Sequence, residues 1–241
     1  MKGARSRLIV AIDVPDRTSA LAAVDRLSGH VGHFKLGLEI FTNEGPTLVK
    51  EIVERGESVF LDLKLHDIPN TVSGAVRAAC RLGVGMLTLH AAGGRKMLEA
   101  ARDAAQASSK PPLLLAVTAL TSLAREDARS IGIEDPLTTW VERLAELAMQ
   151  AGIRGLVASS LELPNLYARF GGTIQFVIPG IRLGGAPSQD QARTATPADA
   201  IAAGANFLVV GRPILQAPDP ALAADRIVEQ IAEALQARQK P

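Results

Sequence analysis

The chain has 241 residues, 47% of them hydrophobic and 21% charged, enough to bury one large α/β core or two small ones and too apolar for a disordered polymer. Lys and Arg (26) nearly balance Asp and Glu (25), so no overall field draws the protein to nucleic acid or to an anionic membrane, and any bound anion must be caught locally. The single Cys80 excludes an intramolecular disulfide and fits a reducing compartment. In chain order, "MKGARSRLIVAID" sets basic residues before an apolar run that Asp13 ends well short of a signal-peptide core. No stretch reaches the roughly 18 apolar residues of a membrane-spanning helix, and a cytoplasmic protein is expected.

Strand-like runs then recur at residues 7–13, 33–37, 58–64, 86–90, 113–118, 155–158, 174–178 and 207–211. Between them lie "SALAAVDRLSG", "GPTLVKEIVERG", "TVSGAVRAACRLG", "RKMLEAARDAAQ" and "TTWVERLAELAMQAG", whose apolar residues follow three- and four-residue spacing. Eight β-then-α units imply parallel strands with crossover helices, and in a chain of this length they predict an α/β fold: one (β/α)8 TIM barrel over residues 1–241. An open doubly wound sheet would usually carry a glycine-rich turn after its first strand, where this chain has "DVPDRTS". The stretch 179–197, "PGIRLGGAPSQDQARTATP", is too rich in Gly, Pro and polar residues for a core element and reads as an active-site or phosphate loop. A frayed tail is expected over 236–241.

The chemistry concentrates in "FLDLKLHDIPN", residues 60–70, where a buried strand pattern carries three charges. Burying charge is costly unless it is paired. Alternation puts Asp62 and Lys64 on one side of the strand and Leu61, Leu63 and Leu65 on the other. In a barrel the charged side is the mouth, where Asp13, Lys35 and His90 also arrive from three other strands, at the face where barrels keep their chemistry. A purely structural ion-pair network is the competing reading, weakened because four strands deliver charge to one place. At the far end, "LVVGRPI" runs off the eighth strand into Gly211 and Arg212. There a glycine permits close approach of an anion and an arginine can hold it with two parallel hydrogen bonds.

"FLDLKLHDIPNTV" resembles the signature of the orotidine 5′-phosphate decarboxylase family, with its Asp-x-Lys-x-x-Asp core. "VAIDV", "FKLGLEIF", "VTALTS", "PGIR" and "VVGRPI" resemble further blocks of that family, in its order and over essentially the whole chain. The resemblance implies a homodimeric (β/α)8 barrel that converts orotidine monophosphate to uridine monophosphate in pyrimidine synthesis, with no metal or other cofactor. It implies Lys64 as proton donor to the carbon that loses carbon dioxide, flanked by Asp62 and Lys35, with Lys35 and Asp13 also on the ribose hydroxyls. Asp67 and Thr71 match residues that reach across the dimer, and Thr121, more closely than Ser122, falls where the family hydrogen-bonds the pyrimidine. Arg182, Gln191, Gly211 and Arg212 correspond to the phosphate end.

Metal-dependent barrels that resemble this family, such as hexulose-phosphate synthases, share the Asp-x-Lys-x-x-Asp core, and a magnesium-dependent sugar-phosphate synthase or decarboxylase is the alternative reading. Those relatives typically carry a metal-ligating Glu where this chain has Lys35, and a charged ammonium repels magnesium. His66 and His90 are therefore read as packing or supporting residues, and His30 and His33 as structural or exposed.

Overall fold

The computed structural model describes residues 2–182 and 195–239 and closes eight parallel strands into a barrel in chain order. A short helix α1 (Lys2–Arg5) precedes β1 (Leu8–Ala11) and α2 (Arg17–Leu27), then β2 (His33–Leu36) and α3 (Leu38–Glu54), then β3 (Val59–Leu65) and α4 (Pro69–Leu82). Next come β4 (Met86–His90), α5 (Gly94–Gln106), β5 (Leu113–Val117), α6 (Arg125–Ser130), α7 (Leu137–Gln150), β6 (Gly155–Val157) and α8 (Leu163–Phe170). The last units are β7 (Gln175–Ile178) with α9 (Pro197–Ala202) and β8 (Phe207–Val210) with α10 (Arg212–Leu215) and α11 (Pro220–Gln239). Closure is made by β1 against β8, with Leu8 opposite Leu208 and Val10 opposite Val210.

Each strand falls where a strand-like run is expected, because a strand covered on both faces needs apolar residues almost continuously. Alternation sorts them into two layers. Ile9, Ala11, Phe60, Met86, Leu115, Val177 and Val209 fill the barrel interior. Their neighbours, among them Leu8, Val10, Leu61, Leu87, Leu114, Leu208 and Val210, pack outward with the apolar faces of the helices. The interior is thus a packed plug, and the ligand-accessible space lies above it, at the strands' C-terminal ends.

Two details depart from the sequence-based expectation. Helix α3 begins at Leu38 and not at Gly45; it is two segments meeting at Gly45 (φ +64), after which Pro46 starts the second with a preset φ and no amide proton to lose. Helix α6 occupies the β5 to α7 connection, where no helix is expected, with Glu126 and Asp127 favourably placed in its first turn. Helix α11 runs to Gln239, the last described residue.

Candidate active site

The charged motif sits on β3 as alternation requires: Phe60 points into the interior layer, Leu61 packs outward, and Asp62 returns to the inside just below the mouth. Beyond Leu61 the register with β4 shifts, so Leu61 faces Leu87 while Leu65 faces Leu89. Within this irregularity Lys64 adopts φ +49, and it is the one non-glycine residue among the described residues with positive φ. Such a conformation costs on the order of 1–3 kcal/mol, and residues that retain it cluster at functional sites. It keeps the Lys64 ammonium over Asp62, with Nζ 3.0 Å from both carboxylate oxygens.

Four charges form an alternating chain across three neighbouring strands. Asp13 Oδ1 accepts from Lys35 Nζ at 3.2 Å, Lys35 Nζ lies 3.7 Å from Asp62 Oδ2, and Lys64 completes the series. The side chains of Lys35 and Asp62 are only 12% and 13% exposed, against 33% for Lys64 and 60% for Asp13. The inner two therefore depend on one another for solvation, whereas Lys64 keeps a free approach from the cavity. Gly37 makes room for this arrangement, since a Cβ there would lie 3.2 Å from Lys35 Nζ.

These residues line one cavity of about 260 Å³ at the mouth. Asp13, Lys35, Asp62 and Lys64 line it together with Thr121, Leu120 and Ala119 after β5, Pro179 to Arg182 after β7, Gly211 and Arg212 after β8, and apolar residues of the strands themselves. Gly211 caps α10, and a Cβ on it would sit 3.4 Å from Ala11 Cβ and 3.6 Å from Asp13 Oδ2. The expected loop is tied at its base, where Ile181 pairs with Ala195 and the Arg182 amide donates to the Ala195 carbonyl at 3.0 Å. That stem fixes the start of the Arg182 side chain against the cavity. Pro197 begins α9, capped by Thr196, and so belongs to the helix. Gln191 and the rest of 183–194, expected to be part of that loop, lie outside the described residues.

Of the expected site residues, Asp13, Lys35, Asp62, Lys64, Thr121, Arg182, Gly211 and Arg212 meet in this cavity. Asp67, Thr71 and Ser122 do not line it. Asp67 is exposed past the end of β3, its Oδ1 accepting the Ile68 amide at 2.6 Å, beside a shallow depression formed with His66, Ile68, Pro69, Ala92 and Gly93. Thr71 is exposed in the first turn of α4. His90 also leaves the cavity and stacks on His66, with ring centroids 5.3 Å apart. Burial, then the neighbouring His66 and Lys64, hold the His90 pKa below the usual imidazole value. His33 donates to or accepts from Ser58 Oγ at 2.8 Å, and His30 pairs with Asp225 at 3.0 Å, so both are structural.

Sequence reasoning passed over the cavity's apolar wall and one buried hydroxyl. Leu120, Val117, Val157, Val177 and Ile181 give a ring-shaped ligand a dry surface. Thr88, on β4, is fully buried, and its Oγ1 lies 2.9 Å from Asp62 Oδ1 and 2.8 Å from the Lys64 amide nitrogen. A threonine inside a strand reads as an ordinary β-branched strand former, so only the fold reveals these contacts.

Residues 6–227 match the family described as orotidine 5′-phosphate decarboxylase / HUMPS. The chain is 50% identical over 234 residues to the orotidine 5′-phosphate decarboxylase of Moorella thermoacetica, covering 95% of this chain and 93% of that protein. It is 49% identical over 238 residues to the enzyme of the same name from Syntrophotalea carbinolica, covering 97% and 98% of the two chains. Among solved structures, the orotidine 5′-phosphate decarboxylase from Lactobacillus acidophilus superposes with a TM-score of 0.85 at 35% identity, over 93% of this chain and 98% of that one.

Proposed function

Because the chain belongs to the orotidine 5′-phosphate decarboxylase / HUMPS family, we propose that it converts orotidine 5′-monophosphate to uridine 5′-monophosphate and carbon dioxide in pyrimidine synthesis. The observation that carries the reading is the alternating Asp13–Lys35–Asp62–Lys64 chain in a cavity that Arg182 and Arg212 also line. A substrate with a phosphate at one end and a reacting carboxylate at the other matches that distribution of charge. The apolar residues between the two ends suit the pyrimidine ring, with Thr121 as a polar contact.

Loss of carbon dioxide leaves an electron pair in the plane of the ring, where no carbonyl can delocalise it. Lys64 meets that charge with an ammonium and then delivers the proton, the C–C electron pair becoming the new C–H bond. At about 4 Å and an effective dielectric near 20, one such pair contributes about 4 kcal/mol. Enzymes commonly lower barriers by about 8–23 kcal/mol, so Lys64 acts within a larger device. Asp62 and Lys35 hold it in place beforehand, and binding energy at the phosphate, through Arg182, Gln191, Gly211 and Arg212, supports the reacting end. Lys35 and Asp13 are also placed to hold the ribose hydroxyls.

The active unit proposed is a cytoplasmic homodimer in which Asp67 and Thr71 serve the partner's site. Their exposure outside their own cavity supports this, as does Ile68, an apolar side chain 66% exposed beside Asp67. No helix among the described residues is long and apolar enough to cross a membrane. The magnesium-dependent alternative is disfavoured by Lys35, whose ammonium lies between Asp13 and Asp62, the two carboxylates a cation would need. The test is product analysis with purified protein. Orotidine 5′-monophosphate should yield uridine 5′-monophosphate, and a hexulose phosphate with magnesium should be left unchanged; the reverse pattern would overturn the reading.

A further inference from the structure

We infer that Thr88 is the positioning residue that sets the Asp62–Lys64 pair, an inference whose kinetic meaning rests on the proposed decarboxylation. A backbone amide can only donate and an ionised carboxylate can only accept, so the direction of both contacts is settled. The Lys64 N–H donates to Thr88 Oγ1 at 2.8 Å, and the Thr88 hydroxyl donates to Asp62 Oδ1 at 2.9 Å. One hydroxyl thus joins the backbone of one member of the pair to the side chain of the other.

The need for that hydroxyl follows from β3. Its ladder with β4 is irregular between Leu61 and Leu65, and Lys64 there turns to φ +49. Thr88 gives the Lys64 amide an acceptor within this break. Alternation from Met86, which belongs to the interior layer, turns Thr88 inward too. Elsewhere that layer is filled by Ile9, Phe60, Leu115 and Val177, so a valine would satisfy packing at this place. The hydroxyl serves the hydrogen bonds. With it removed, a buried amide loses its acceptor and Asp62 loses one of the donors that orient it. Lys64 is then free to relax toward an ordinary strand conformation and away from the reacting carbon. Thr88 touches neither the cavity nor the reacting atoms and acts through its two neighbours.

The experiment compares Thr88→Val, which keeps the shape, and Thr88→Ser, which keeps the hydroxyl, with wild type. Melting temperature, kcat and KM for orotidine 5′-monophosphate and a crystal structure of Thr88→Val are the readouts. A misplacement of about 1 Å can lower rate by roughly a hundredfold, so kcat should fall about 10- to 100-fold in Thr88→Val with KM little changed. Thr88→Ser should recover most of it, and the Thr88→Val structure should show Lys64 displaced from Asp62. A Thr88→Val enzyme with wild-type kcat, or a Thr88→Ser enzyme as impaired as Thr88→Val, would overturn the inference. If Thr88→Val does not fold, Thr88→Ser decides: near-wild-type kcat supports the hydroxyl's role and a large loss contradicts it. If wild type itself is inert, the proposed function fails while the position of Lys64 in the Thr88→Val structure still judges the geometry.

Discussion

Lys64 Nζ sits 3.0 Å from each carboxylate oxygen of Asp62, two residues earlier on the same strand, and does so from a left-handed backbone conformation. Both oxygens of one carboxylate thus hold one ammonium, within a break in the β3–β4 ladder. Replacing Asp62 with Ala leaves the Lys35 and Lys64 ammoniums without their shared carboxylate. Activity should fall by about 10²- to 10⁴-fold, the range for a preorganised electrostatic or acid–base group, as read from initial rates at saturating substrate.

Arg212 follows β8 and lines the same cavity as Lys64. A charge-assisted contact to phosphate is worth roughly 1.5–3 kcal/mol, so Arg212→Ala should lower kcat/KM for the nucleotide about 10- to 100-fold. The phosphate-free nucleoside should be turned over by wild type and variant with similar efficiency. Equal losses on both substrates would remove Arg212 from phosphate recognition.

Asp67 lies outside the cavity of its own chain. Asp67→Asn should fold normally and lose activity, and mixing it with inactive Lys64→Ala protein under conditions of subunit exchange should restore turnover. In a two-fold dimer with shared sites, one site of each mixed pair is intact. Mixing without recovery would place Asp67 in its own chain's machinery or outside the reaction.

His33 and His90 both have pKa values held below the usual 6.5, chiefly by burial. Below about pH 6.5 the unfolded chain binds protons at these positions that the folded chain refuses, so unfolding takes up protons and stability falls with pH. The contribution is present above pH 6.5 and is lost progressively below it. Melting temperature should decline from pH 7 to pH 5, and the decline should be shallower in a His33→Gln/His90→Gln protein. Parallel curves would show that other groups set the acid sensitivity.

The barrel is legible in the sequence because burial on both faces forces nearly continuous apolar runs such as "LLLAV" and "FLVV", which polar turns and amphipathic helices then separate. Asp62, Lys64 and Lys35 are legible for a related reason: charge inside such a run needs a partner, and alternation says where it points. Other features depend on tertiary context. No glycine marks the positive φ of Lys64, and in the sequence nothing distinguishes Thr88 from Thr118, which closes the strand-like run 113–118, until β3 and β4 are placed side by side. Asp67 follows Lys64 closely in sequence, yet the chain leaves the barrel wall after Leu65 and carries it out of the cavity. The kink of α3 is half legible, since Gly45–Pro46 is an obvious boundary while the helical turn before it is not.

The central claim is that Lys64 both stabilises and protonates the carbanion without a metal. It is tested most directly by carbon dioxide release from orotidine 5′-monophosphate in excess chelator, wild type beside Lys64→Ala. The account predicts release by wild type that is undiminished by chelator and is lowered at least about 10²-fold in the variant. Chelator-sensitive release, or a folded Lys64→Ala protein that releases carbon dioxide at the wild-type rate, would contradict it.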